Sequence, residues 1–302
     1  MKSGKTLQEL AAEIERRANA KQDVVVSTSH VTMEAGETSA AGVRLNVADK
    51  FNFGINGTAH GQIAEHADIP KKYYDRMLTK NPALLASNVN AWFKDEPSER
   101  MVRTLDGNTR AVLSDKYRPL ENEDLAQAVL PVLLDMDLAV MSSEITDRRL
   151  YIKAVDKRVV RELNAIGGAF GDGQHKIVRC LSPAITISNS EIGMGALSIL
   201  GGVYDGFCSN LATFGERSTR KYHVGGRHEI GAEDLYALLS DDTRRKTDAA
   251  TWAQIRDLTK AVFERARFDS LCEKITDTQT HKIEGDPVKV VNLAAKRFGM
   301  TE

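Results

Sequence analysis

MVRTLDGNTRAVL, residues 101–113, sets two β-prone runs on either side of Asp106-Gly107-Asn108. Such a tripeptide favours a tight turn, so residues 101–105 and 110–113 are predicted to fold back as a hairpin. A second hairpin follows from residues 138–145 and 149–155 across Thr146-Asp147. Between them Leu125, Val129, Val132 and Leu133 fall on one side of a predicted helix over residues 124–136. Asn122 is placed to cap that helix, and Pro131 is expected to kink it. Upstream, residues 58–96 read as three short helices, the first and second divided by Pro70. Val43, Leu45 and Val47 alternate, as do Phe51, Phe53 and Ile55, giving a half-buried pair of strands. Residues 35–42 form the loop before that pair, residues 23–33 read as β, and residues 6–20 as an amphipathic helix.

Downstream, Gly167, Gly168, Gly171 and Gly173 mark a loop. Residues 176–188 and 196–200 are strand-like, separated by Ser190-Glu191-Ile192-Gly193. Residues 232–239 and 249–275 return to helix, and a last short helix falls near residues 290–298. No internal repeat is present. The expected fold class is α+β, a largely antiparallel sheet of hairpins flanked by helices. Three segments are expected: 1–57 with the N-terminal helix and strands, 58–230 with the hairpins and basic clusters, and 231–302 as a helical region.

Composition narrows the function classes without choosing one. The 302 residues carry a net charge of −1, so any nucleic-acid surface must come from uneven placement of charge. Cys180, Cys208 and Cys272 are odd in number and lack CxxC spacing, which argues against a zinc ribbon and for a reducing compartment. The N-terminus lacks the apolar core of a signal peptide, and no run approaches the about 20 apolar residues of a membrane span. A cytoplasmic protein without membrane contact is expected.

Recognised catalytic patterns are missing. His60 and His66, and His223 and His228, lie at no ligand spacing, so no metal is expected. Gly193-Met194-Gly195 lacks both the third glycine of a dinucleotide fingerprint and the Lys-Ser/Thr of a P-loop, and no cofactor is expected. Asp115, Glu121, Glu123 and Asp124 cluster near a helix N-terminus, where the dipole favours negative charge. Asn189, Glu191 and Asn210 stand in apolar surroundings and are read as bonding turns in the core.

The basic residues are the more informative set. Arg100, Arg103 and Arg110 lie on the first hairpin, with Lys116 and Arg118 just after it. Arg148, Arg149, Lys153, Lys157, Arg158 and Arg161 crowd the second hairpin and its exit, and Arg217, Arg220, Lys221, His223, Arg227 and His228 form a third concentration. Tyr117, Tyr151 and Tyr222 are interleaved and could stack on bases. The simpler reading is that the arginines blunt sheet edges and the tyrosines fill core rims.

Two stretches carry a resemblance. Arg103-Thr104-Leu105 with residues 110–120, RAVLSDKYRPL, and Ser188-Asn189-Ser190-Glu191-Ile192-Gly193 with Cys208-Ser209-Asn210, resemble the paired signatures of the phage and plasmid proteins grouped as domain of unknown function 932. Ser209 and Leu211 depart from the Cys-Thr-Asn-Gly common there, and His223-Val224-Gly225 echoes a later element loosely. Residues 62–74, with Ile69-Pro70, also fit, so the resemblance runs over residues 58–226. It supplies no established catalytic residues. It implies a role in handling mobile DNA, and the predicted outline is similar to phage single-strand annealing proteins, which assemble into rings or filaments.

The leading expectation is an oligomeric, cofactor-independent protein that binds and anneals single-stranded DNA, with phage or host recombination proteins as further partners. Arg103, Arg110, Lys116, Arg118, Arg148, Arg149 and Lys153 would neutralise phosphates, and Tyr117 and Tyr151 would stack on bases. Two alternatives come from other classes. One is a metal-assisted nuclease using Asp115, Glu144 and Glu191; the other is a module that captures a host protein.

Overall fold

In the computed structural model, which describes residues 4–36, 42–166, 176–206, 213–221, 240–280 and 286–297, the chain is α+β and builds two six-stranded sheets. The first sheet contains β1 (Val24–Ser27), β2 (Val31–Ala35), β3 (Val43–Val47), β4 (Phe51–Ile55), β5 (Glu99–Leu105) and β6 (Asn108–Ser114), in the order β1-β5-β6-β4-β3-β2. All its pairings are antiparallel except β4 with β6, where Gly54 faces Asn108 and Ile55 faces Thr109. The predicted hairpin is β5–β6, and Asp106 and Gly107 take φ of 50° and 73°, as a type I′ turn requires.

Helices α2 (Gly57–His66), α3 (Lys71–Lys80) and α4 (Pro82–Asp95) cover one face of this sheet. Their starts are chemically specified. Asn56 accepts from the Ala59 N–H, and Asn81 accepts from the Leu84 N–H just ahead of Pro82 at the first helical position. Ile63, Tyr74, Leu85, Val89 and Phe93 pack onto Met33, Leu45, Phe53, Val102 and Val112 to form one core. His60 Nδ1 and the Tyr74 hydroxyl lie 2.8 Å apart, and burial pulls the imidazole down to about 4.

The second sheet contains β7 (Ala139–Ile145), β8 (Leu150–Val155), β9 (Arg161–Ile166), β10 (Lys176–Asn189), β11 (Leu197–Asp205) and β12 (Thr213–Lys221). Its order is β12-β11-β10-β8-β7, and β9 pairs with the first half of β10. Period-two alternation turns Leu150, Ile152, Ile185, Ile187 and Ile199 to one face. There they meet α1 (Leu7–Ala20), α5 (Asn122–Asp135) and α6 (Asp241–Ala261) in a second core, while α7 (Arg265–Thr280) packs Phe268 and Cys272 against Leu163, Leu181 and Val203. A capping box starts α1: the Glu9 N–H donates to Thr6 Oγ1 and the Thr6 N–H donates to Glu9 Oε2. The last described helix, α8 (Pro287–Arg297), leaves Val288, Val291 and Leu293 exposed.

Several expectations need correction. The helices form on two sheets rather than around one, and β1 to β4, within residues 1–57, join a sheet with β5 and β6. Asn122 is not the cap of α5; Glu121 occupies that place without a side-chain cap bond, and Asn122 is the first helical residue. Helix α5 runs on through Pro131, which sits on its exposed side. The single stretch expected over residues 249–275 is the pair α6 and α7. The glycine loop, the helix expected at 232–239, Cys208 and Asn210 lie outside the described residues. Among the described residues, no helix is long and apolar enough to cross a membrane.

Candidate functional site

The two sheets meet where the β5–β6 hairpin docks on the turn between β10 and β11. A β-bulge in the hairpin prepares this contact: Thr104 faces Thr109 and Arg103 faces Ala111, so Arg110 is the extra residue. A bulge sets two residues against one and re-aims the added side chain. Arg103 and Arg110 therefore both reach Glu191, Arg103 through Nη1 to its carbonyl at 2.7 Å and Arg110 through Nη1 to Oε2 at 2.7 Å.

Around Glu191 the charges balance formally. Lys21 Nζ lies 2.7 Å from Glu191 Oε1 and 2.6 Å from Glu121 Oε2. Arg103 also donates to Asp23 Oδ2 at 2.7 Å and is ion-paired with Glu121. The Asn122 N–H donates to Glu191 Oε1 at 2.9 Å, so a carboxylate from the β10–β11 turn caps α5. Asn189 donates from Nδ2 to the Leu120 carbonyl and to Asn122 Oδ1. The core role read for Asn189 and Glu191 is met by these bonds, at 0% and 4% exposure.

Burial acts on both glutamates, but their neighbours split them. For Glu191 burial alone would raise the pKa; a hydrogen bond with Glu121 and the charges of Arg110 and Lys21 outweigh it and hold the carboxyl well below its usual range. Glu121 is pushed up by burial and by the negative charge of Glu191, against the pull of Arg103. Arg103 stays firmly protonated, because Glu121, Asp23 and Glu191 overcome the cost of its burial. Burial likewise raises the Tyr117 hydroxyl, which donates to the Ser190 carbonyl at 3.3 Å.

Four residues expected to line a DNA groove are thus interior. Arg103, Arg110, Lys153 and Tyr117 are at most 7% exposed, and a phosphate reaching Arg103 or Arg110 would have to displace a bonded carboxylate. Arg118 is partly buried and paired with Asp248. Lys116, Arg148 and Arg149 are exposed and Tyr151 is half-buried. The β10–β11 turn draws the second hairpin toward itself. Ser190 Oγ donates to the Arg148 carbonyl at 2.7 Å, and Arg149 Nη2 donates to the Met194 carbonyl at 2.9 Å. Gln62 clamps the turn from α2, donating to the Ile192 carbonyl at 2.9 Å while accepting from the Val112 N–H at 2.8 Å.

From this rim the second sheet presents the face opposite its helix-packed core. That face carries Glu144, Tyr151, Thr186, Ser188, Ser198, Leu200 and Tyr204, with Lys153 beneath. The third basic cluster falls on β12 and on residues 222–228; of these only the backbone of β12 is described. The nuclease set does not assemble: Asp115 and Glu144 are exposed, and both Glu191 oxygens are engaged by Lys21, Asn122 and Arg110. Sequence reading missed Lys21, Asp23 and Gln62. Their residue types carry no motif, and only the fold brings them to the hairpin. The chain matches no protein-family model, no curated protein and no solved structure.

Proposed function

We propose that the protein binds single-stranded DNA and promotes annealing of complementary strands as an oligomer, in the service of a phage or plasmid. The observation that carries this reading is the exposed pair Arg148 and Arg149 at the tip of β7–β8, beside a mainly polar sheet face where Tyr151 stands opposite Glu144. Exposed guanidinium groups supply counterion release, and an aromatic ring on a polar floor supplies base stacking without sequence readout. Lys116 extends the rim, since its neighbour Tyr117 bonds the same turn that holds Arg148. The resemblance to the phage and plasmid proteins supports the same reading. Its two signature stretches, distant in sequence, pack on each other through Arg103 and Glu191. In this reading the signature arginines are framework, and the phosphate contacts fall to residues outside the buried network.

The test is fluorescence anisotropy on a labelled single-stranded oligonucleotide, titrated with salt, with annealing of its complement followed in parallel. Replacing Arg148 and Arg149 together by alanine should weaken binding across sequences. It should also reduce the slope of log K against log salt by about 1.4, roughly 0.7 for each single-strand phosphate that is no longer neutralised. Unchanged affinity and slope would remove the hairpin tip from the interface. No binding to single or double strands at low salt would end the DNA reading.

A further inference from the structure

On the helix-covered face of the first sheet, α2 and α4 end beside one another and line a pocket of about 270 Å³ formed by His66, Ala67, Asp68, Trp92, Phe93 and Glu96. Both helices point their C-terminal ends at it, and a helix C-terminus carries about half a negative charge. Cations are the favoured residues at such ends, and Lys94 meets that preference in the last turn of α4, but Asp68 follows α2 and Glu96 caps α4. Asp68 is also held at φ 50°, a left-handed conformation that glycine or asparagine adopts at lower cost. Both carboxylates are exposed, and among the described residues neither has a hydrogen-bonding or ionic partner. Trp92 is 46% exposed at the same place, although Phe93 next to it is buried.

The remaining wall is fixed by hydrogen bonds, and the Arg100 guanidinium stands behind it as a cation that the two carboxylates and helix ends must outweigh. Arg100 Nη2 donates to His66 Nδ1 at 2.8 Å, which leaves the proton on Nε2 to face Ser98 Oγ at 3.3 Å. Burial and then the Arg100 charge lower the imidazole pKa, so His66 adds no positive charge. With both ring nitrogens occupied it has no lone pair for a metal. Among the described residues no group of three or more His, Cys, Asp or Glu side chains is placed to hold one. Two unpaired carboxylates, two helix C-termini and an exposed indole are instead the components that attract an organic cation.

We propose that the pocket between the ends of α2 and α4 binds the guanidinium or alkylammonium head of a cationic ligand, with Trp92 against its face and Asp68 and Glu96 as counter-charges. The site shares no residue with the arginine rim, and the inference holds whether or not DNA is bound there. Trp252→Phe leaves Trp92 as the sole tryptophan, so indole fluorescence reports on the pocket alone. Titration with Nα-acetyl-L-argininamide or spermidine should give a saturable change. The uncharged isostere Nα-acetyl-L-citrullinamide, its α-amine blocked, should bind about tenfold or more weakly, the scale of a partly desolvated cation–π and carboxylate contact. Asp68→Asn with Glu96→Gln should abolish the difference while circular dichroism remains that of the parent. An arginine-containing tripeptide, tested alongside, shows whether a peptide side chain or a free amine is preferred; tighter binding of either supports the site. Equal binding of Nα-acetyl-L-citrullinamide, no saturable response to any of the cations, or the same response to Mg²⁺ alone would overturn it.

Discussion

Glu121 and Glu191 share one lysine, and their replacement by glutamine should have unequal consequences. Glu191 is 4% exposed and accepts from Lys21, Asn122 and Arg110 at 2.7–2.9 Å. Glutamine leaves one acceptor where the carboxylate had two, and turns an NH2 group toward either Arg110 or Lys21. A buried cation is then stranded, which costs about 3–5 kcal/mol. Glu121 has a side chain 24% exposed, and its charge is opposed by burial and by Glu191. Glu121→Gln keeps an acceptor for Arg103, removes the repulsion and gives up the ion pair with Lys21, so the net change should stay within about 1 kcal/mol. Guanidinium unfolding at pH 7, followed by circular dichroism with the slopes compared, measures both. The pH dependence adds a sign. Because the folded pKa of Glu191 is depressed below its ordinary 4.5, its stabilisation is complete above that value and is lost as pH falls through the folded pKa. The gap between wild type and Glu191→Gln should therefore close in acid. Equal losses for the two variants, or a gap that widens in acid, would refute the assignment of the charges.

Other substitutions probe separate parts of the molecule. Gly193 has φ 76° and a Cβ there would come within 2.9 Å of Leu113 Cδ2, so Gly193→Ala should lower stability by about 1–3 kcal/mol, read as a fall in Tm. Ile187→Ala, in the fully buried core of the second sheet, should cost about 2–5 kcal/mol in denaturant unfolding. Hydrogen bonds from Arg16 and Arg17 pull Glu13 down to about 2, so its contribution is present above pH 4.5 and fades as pH falls toward 2. Glu13→Gln should flatten that part of the Tm profile. Arg103→Ala should be heavily destabilised, and any fall in DNA affinity should disappear when only folded protein is counted; a selective fall in affinity would return Arg103 to the interface.

Local rules read well where a strong turn or a clean periodicity is present. Asp106-Gly107 marks the first hairpin, and the alternation of Val43, Leu45 and Val47 marks a strand. The β3–β4 turn is made by Ala48 and Asp49 at φ 53° and 52°, and alanine there carries no turn signal. Which arginines are interior is hidden for a different reason. The bulge at Arg110 breaks the two-residue period between Thr109 and Val112, so no pattern along β6 tells which face Arg110 joins. Lys21, Glu121 and Glu191 lie far apart in sequence, and their approach depends on how the two sheets dock. Strand β12 is hard to see because its nine residues, TFGERSTRK, look like a polar basic loop.

The strand order of the first sheet governs when the molecule can form. Strand β1 has β5 as its neighbour, and Asp23 meets Arg103 at a separation of 80 residues. During synthesis the early strands β2, β3 and β4 can pair as soon as they emerge, but β1 must wait through three helices for its partner. Such distant closure slows folding, and the free edge of β4 stays open until β6 arrives. A nascent chain stalled before Leu105 would hold a half-built sheet, with Val112 missing from its core. Separate expression of residues 1–57 and 58–302 should accordingly yield two aggregating pieces, and recovery of soluble protein should require both on one chain or present together.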